Sequence, residues 1–399
     1  MNHNIYLDNA ATTRMREEVL EEMMPFFRET YANPSAIYSF AGEAGKAVGT
    51  ARERAAALIG AKAGEIYFTA GGTESDNWAL RAVAESRADK GRHIVTSRIE
   101  HHAVLHTCAY LERQGYEVTY LDVDEEGKIS PEAVERAIRP ETVLISVMAA
   151  NNEIGTLEPV ARIGEIAHER GVLFHTDAVQ AYGHIPLDVE AMHIDLLSAS
   201  GHKLNGPKGV GILYCRENLR LGALIHGGAQ EKGPRAGTLN VPGIVGFGKA
   251  AALAGETLSE RREREAKLRD YLIGRVLAEI PYTRLNGSIE ERLSNNAHFC
   301  FRFIEGESLL ILLDQKGICA SSGSACTSGA LDPSHVLLAI GLPHEMAHGS
   351  LRLTLSEETT EEELAYVVES LKEIVGRLRS MSPLYEDFLK EENKKKCML

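Results

Sequence analysis

Ile194-Asp195-Leu196-Leu197-Ser198-Ala199-Ser200-Gly201-His202-Lys203 carries an apolar run into a lysine, and Gly206-Pro207-Lys208-Gly209 follows closely. The apolar residues read as a buried strand, and the glycines and proline as the turn that ends it. A lysine in that position suits a chemical role, since a free amine forms a Schiff base with a carbonyl compound. The neighbouring hydroxyl and imidazole can hold an anion such as phosphate. Taken alone, the stretch reads equally well as a solvated lysine beside a glycine turn. The rest of the chain gives it a context. From about residue 50 to about residue 250, short apolar runs alternate with helical patterns, the signature of a mainly parallel sheet wrapped by helices.

The spacing predicts strands over 65–69, 93–96, 142–148, 172–175, 195–198 and 209–214, with helices over 75–86, 103–114 and 159–170 between them. After Gly255 the composition changes to a charged amphipathic helix over 256–277, which reads as a connector. Strand-like segments follow at 298–303 and 350–354. Then comes the clearest helix of the chain, where Thr360 and Glu363 make a capping box ahead of a stripe from Leu364 to Leu378.

Composition narrows the function. The chain has 399 residues, 44% hydrophobic and 25% charged, as expected of a soluble globular protein with a large interior. Its net charge of −14 argues against nucleic acid or an anionic membrane as the main partner. No run reaches the ~18 apolar residues of a membrane span, and Met1-Asn2-His3-Asn4-Ile5 lacks the features of a signal peptide. Six scattered cysteines fit a reducing compartment, so a cytoplasmic location is expected. Cys108, Cys215, Cys300 and Cys319 read as packing residues, and Cys397 falls in a polar tail. Cys326 stands apart in Ser322-Gly323-Ser324-Ala325-Cys326-Thr327-Ser328, with no apolar partners near it in sequence.

In open parallel sheets the ligand sits beyond the carboxyl ends of the strands. Reading outward from each expected strand gives Gly71-Gly72-Thr73-Glu74-Ser75 at a helix start, then Glu100-His101-His102, then Asn151-Asn152-Glu153. His175-Thr176-Asp177 with Gln180 and then Ser200, His202 and Lys203 complete the series. The first is an anion site if its backbone N–H groups face a ligand, or an ordinary helix cap if they do not. The paired histidines raise the question of a metal, but no second ligand cluster with zinc spacing exists, so no permanent metal site is expected. An anion cradle, an imidazole, an amide, an acid and a lysine on one sheet edge match the needs of pyridoxal 5′-phosphate. That cofactor takes a lysine for its aldehyde, donors for its phosphate and an acid beside its ring nitrogen.

Further motifs extend the pattern: Tyr6-Leu7-Asp8-Asn9-Ala10-Ala11-Thr12-Thr13, Asn33-Pro34-Ser35, Gly72-Thr73-Glu74-Ser75-Asp76-Asn77, Asn151-Asn152-Glu153-Ile154-Gly155, Arg235-Ala236-Gly237-Thr238 and Arg352. With these the chain resembles the fold-type I enzymes of the class V aminotransferase superfamily, and among them the cysteine desulfurases of the NifS/IscS type. The resemblance implies an α/β fold with a mainly parallel sheet. It places a large cofactor-binding domain over 15–255, a smaller α+β domain from 1–14 and 256–385 carrying the Cys326 loop, and a flexible polar tail over 386–399. It also implies conversion of L-cysteine to alanine with transfer of sulfur to Cys326.

Roles follow by the same resemblance. Lys203 takes the aldehyde, Asp177 faces the ring nitrogen, and Gln180 with Asn152 bonds the ring hydroxyl. His101 stacks on the ring and is a candidate proton acceptor. Gly72, Thr73, Ser200 and His202 hold the phosphate, joined by Thr238 from a second copy, which implies a homodimer. Arg352, with Asn33, binds the substrate carboxylate. An iron–sulfur scaffold or another acceptor takes the sulfur, and Cys326 can ligate a cluster transiently. One departure is Tyr38, where relatives commonly have histidine. Two other readings compete: a selenocysteine lyase or aminotransferase, which needs no thiol in a loop, and a non-catalytic sulfur or metal scaffold, which needs no Lys203.

Overall fold

The computed structural model describes residues 4–322 and 333–397. Cys326 therefore lies outside the described residues. Among those described, twelve strands form in chain order. They are β1 (Ile5–Tyr6), β2 (Ile66–Thr69), β3 (His93–Ser97), β4 (Glu117–Leu121), β5 (Thr142–Ser146) and β6 (Leu173–Asp177). The others are β7 (Leu196–Ser200), β8 (Gly211–Cys215), β9 (Thr283–Asn286), β10 (Asn296–Phe301), β11 (Ile318–Cys319) and β12 (Ser350–Thr354).

Seven strands form one sheet in the order β2-β8-β7-β6-β5-β3-β4. β3 to β7 pair in parallel, and β8 alone runs against its neighbours. β3, β5, β6, β7 and β8 are buried along their whole length. Burial of both faces is what a parallel sheet requires of its covering helices. The two-residue period of the strands divides their side chains cleanly. Val95, Ile145, Phe174, Leu197 and Ile212 join one core with Ala51 of helix Ser39–Ala57 and Phe247 of helix Val241–Glu279. Their chain neighbours Ile94, Leu144, Leu173, Leu196 and Leu213 pack on the other face against Trp78, Val83, Val104 and Cys108.

A second core gathers around the antiparallel sheet β9-β10-β12 and the parallel pair β1-β11. There Phe299, Phe301, Leu351 and Leu353 meet Leu309 and Leu313 of helix Gly306–Gln315. Leu364, Val367, Leu371 and Ile374 of helix Glu361–Ser380 close it, behind the expected Thr360–Glu363 capping box.

Three differences from the sequence expectations have physical reasons. The connector helix does not begin after Gly255 but runs unbroken over Val241–Glu279. Its glycine-rich first half packs closely on its neighbours: a Cβ on Gly248 would lie 2.5 Å from Ala51 Cα. The glycines there serve close approach of two helices rather than a break. β4 was not among the expected strands, and its partly exposed residues at the sheet edge give only a weak apolar signal. The stretch read as a polar tail continues as helix Pro383–Cys397, held by Phe388 against Tyr282 and Phe303 with ring centroids 5.1 and 4.9 Å apart.

Gly248→Val is expected to lower stability by about 1–3 kcal/mol, because the added atoms meet backbone that cannot give way locally. Denaturant unfolding checks it, and an unchanged midpoint would mean that the two helices separate freely.

Candidate active site

The carboxyl ends of β2, β3, β5, β6 and β7 open on a cavity of ≈ 260 Å³. Of the residues singled out in the sequence, Gly72, Thr73, His101, Asn152, Asp177, Gln180, Ser200, His202, Lys203 and Arg352 all line it. Asn33 and Thr238 do not, and both are exposed. Asn33 is engaged locally, its Oδ1 accepting from Ser35 N at 3.0 Å.

Each side chain is placed by a local cause. After β2 the chain turns at Gly71, with φ of 151°, into helix Gly72–Ser86. A Cβ on Gly72 would come 2.4 Å from Val179 Cγ2, so any side chain there would push Val179 aside where this helix starts against the turn after β6. The first-turn N–H groups of a fifteen-residue helix thus point along its dipole at the cavity. Ser75 locks that turn by donating to Ile212 O at 2.9 Å.

Lys203 ends the 3-10 turn Gly201–Lys203 that follows β7. Its Nζ donates to Ala10 O and, at 2.8 Å, to Ala11 O. The amine is therefore capped by the amino-terminal segment, which His202 O also holds through Thr13 N at 2.9 Å. His202 Nδ1 lies 3.2 Å from Thr12 Oγ1. Burial, with Lys203 and Lys208 nearby, pushes its pKa down to about 4, so it meets an anion as a neutral hydrogen-bond donor. Gln180 Nε2 donates to Ala10 O at 3.0 Å.

Asp177 is the last residue of β6, and one carboxylate oxygen accepts from Val179 N at 2.9 Å. Burial raises its pKa, while His101, that N–H and Lys203 act to keep it ionised. His101 caps helix His102–Arg113, its Nδ1 accepting from Ala103 N at 3.1 Å. That bond puts the proton of the neutral ring on Nε2. In this geometry His101 offers a hydrogen-bond donor at Nε2, and accepting a proton at Nδ1 would require release of the cap.

Arg352, on β12, is 2% exposed and reaches across from the second core. It donates to Asn152 O at 2.8 Å and to Asp8 Oδ1 at 2.9 Å. Asp8, Asp76 and Glu153 stand within the sequence motifs but carry no role that the sequence assigns. Glu153 also lines the cavity and accepts from Ser334 Oγ. The signal for Asp76 was present in the spacing: it lies four residues after Gly72 on one helix, hence on the same face.

Comparison with known proteins places this geometry. The Aminotransferase class-V family matches residues 5–367. A cysteine desulfurase IscS from Methanosarcina thermophila is 56% identical over 383 residues, 96% of this chain and 95% of the relative. The chain belongs to the class V aminotransferases, as a cysteine desulfurase of the NifS/IscS type. A cysteine desulfurase IscS from Clostridium botulinum is 54% identical over 397 residues, 99% of this chain and 100% of its own. Among solved structures, a NifS-like protein superimposes with a TM-score of 0.88 at 41% identity, covering 94% of this chain and 100% of that one. SspA in complex with cysteine gives 0.80 at 40% identity, covering 89% and 100%. The α/β fold with its mainly parallel sheet is thus that of the class V enzymes.

Gly72→Val is expected to displace the helix start or Val179 and so weaken anion binding at the cavity by about tenfold or more, at a cost of roughly 1–3 kcal/mol. Calorimetric titration with inorganic phosphate checks this, and unaltered affinity would remove the helix start from the anion site.

Proposed function

We propose that this cysteine desulfurase holds pyridoxal 5′-phosphate in the cavity and passes the sulfur of L-cysteine to Cys326 as a persulfide. The observation that carries the reading is convergence: an amine, a buried carboxylate and a glycine-opened helix N-terminus meet in one cavity at one sheet edge. The donor set fits the cofactor. Lys203 supplies the amine for the aldehyde, and Asp177 the anion for the ring nitrogen. Gln180 and Asn152 would serve the ring hydroxyl. The helix start at Gly72 and Thr73, with Ser200 and neutral His202, would hold the phosphate. When bound, the group supplies an electron sink that makes the substrate Cα–H acidic.

The chain's own residues do the rest. Arg352 is held in place by Asp8 and Asn152 O, so its planar fork is aligned before a carboxylate arrives. The Lys203 amine, released from Ala10 O and Ala11 O, would take the Cα proton and return it. Cys326 as thiolate attacks the substrate sulfur. A sulfur–sulfur bond forms, the carbon–sulfur bond breaks, and its electron pair remains on the carbon, which then takes up a proton, such as the one lost by the Cys326 thiol, to become the alanine methyl group. The thiol proton needs an acceptor, since a free cysteine ionises only near pH ~8.5. His101 fills that role only after giving up Ala103 N–H.

The exposed position of Thr238 and its absence from this chain's own cavity favour its use in the site of a second copy. The sulfur would go to an iron–sulfur scaffold protein or another acceptor in the cytoplasm, with Cys326 as a transient cluster ligand, a reading that rests on the sequence resemblance.

Cys326→Ala should bind the cofactor and remain yellow, and added L-cysteine should still change its visible spectrum. Sulfide and alanine production should fall at least 100-fold, because no nucleophile remains for the sulfur. Normal alanine release by this variant would overturn the persulfide route. Lys203→Ala should fail earlier, losing the spectral change as well.

Mixing a Thr238→Ala chain with a Lys203→Ala chain tests the shared site. In the heterodimer one site has both residues intact and the other has neither. Recovered desulfurase activity in proven heterodimers is the expected result, and none at all would place Thr238 in its own subunit's site.

A further inference from the structure

Beneath the cavity lies a second acid for which the chemistry above has no use. Asp76 projects from the first turns of helix Gly72–Ser86 and Asp177 from the end of β6, and they are 1% and 5% exposed. One oxygen of each, with a ring nitrogen of His101, lie within 4.8 Å of one another. Asp76 also lines the cavity, and its Oδ1 has no hydrogen-bond partner among the described residues.

The groups packed around the pair decide where charge can reside. On the side of Asp177 stand Lys203 and His101, both of which favour its anion. At Asp76, burial foremost and then the Asp177 carboxylate disfavour a charge, against the Ser198 hydroxyl, which favours one, and the Glu100 carboxyl is the other acid facing it. His175 offers no cation. Its Nε2 is 3.6 Å from Asp76 Oδ1, but its ring nitrogens are taken by Ser198 Oγ at 3.0 Å and Ser146 Oγ at 2.9 Å. Burial keeps that ring neutral, with a pKa pushed down to about 3. Glu100, pushed up to about 8 by its own burial, is a neutral acid as well. A second charge on a buried carboxyl this close to another carboxylate is strongly disfavoured.

We propose that Asp76 and Asp177 share a single proton that resides on Asp76, making Asp76 the positioning residue that keeps Asp177 anionic toward the cofactor ring nitrogen. The Asp76 hydroxyl is then the donor to Asp177, directly or across one water. The inference rests on the cofactor reading above for its functional consequence, while the shared proton itself is a property of the polypeptide.

The experiment compares wild type, Asp76→Asn and Asp76→Leu, each with and without pyridoxal 5′-phosphate. Difference infrared spectra of wild type minus Asp76→Asn at pH 7 should contain the carbonyl stretch of an un-ionised carboxyl group, in apoprotein and holoenzyme alike. The other buried acids cancel in the difference. Asparagine preserves a donor of the same shape, so Cα–H exchange of bound cysteine should stay within about twofold of wild type. Leucine removes the donor, and exchange should slow about tenfold or more with the cofactor still bound. Absence of the carbonyl band, or a tenfold slowing in Asp76→Asn, would overturn the proposal by showing Asp76 ionised. Should Asp76→Leu not fold, the infrared difference with Asp76→Asn still decides. Failure of the wild type to take up pyridoxal 5′-phosphate would sink the cofactor reading and leave the infrared test of the pair intact.

Discussion

A half-buried amine and a buried carboxylate meet at one edge of a sheet whose central strands are buried along their whole length, and the rest of the site depends on this. Lys203 follows β7 and Asp177 ends β6, its parallel neighbour, so adjacent strands deliver them side by side. Parallel pairing makes that delivery possible, because it brings the carboxyl ends of β3, β5, β6 and β7 to the same edge. Covering both faces with helices then removes the water that would otherwise screen the charges. In that setting the position of a single proton matters, and a neutral histidine or a protonated acid is a structural component rather than an accident of pH.

The amino-terminal segment connects this edge to the second core. Leu7 N bonds Cys319 O at 2.9 Å and Asn9 Nδ2 bonds Thr354 O at 2.8 Å, both in the second core's strands or beside them. A few residues on, Ala10 O and Ala11 O accept from Lys203 Nζ. Asp8 between them holds Arg352. One short extended segment therefore fixes the amine of the large sheet relative to the guanidinium of the small one. The flanks of the stretch that carries Cys326 are tied to the same group of residues. Ser321 and Arg352 pair through their backbones, and beyond it Ser334 reaches Glu153 while His335 Nε2 lies 3.0 Å from Glu100 O.

Much of this was legible in the chain. A lysine after an apolar run, glycines ahead of a helix, and an acid at a strand end are local patterns, and local patterns dictate local structure. The alternation of strand and helix signals specified a wrapped parallel sheet, since period-two and period-3.6 apolar spacing bury different faces. Resemblance over motifs from Tyr6 to Arg352 named the family, and the 5–367 family match agrees. The second half of the signal was harder to read. Helix Val241–Glu279 hid its start behind glycines, one of which, Gly248, serves a contact with Ala51 about two hundred residues away. Partly exposed β4 hid because an edge strand has one neighbour and needs less apolar surface.

The sequence by itself determined which residue types stand at each strand end, and hence that an amine, an acid and an anion cradle had to share one edge. Only the tertiary structure decided their protonation and their partners. That Asp8 faces Arg352 and that Asp76 comes to lie near Asp177 are contacts between elements far apart in the chain. Charge in a buried site is set by what surrounds it in space, through desolvation and neighbouring charges, and no spacing along the chain encodes that directly.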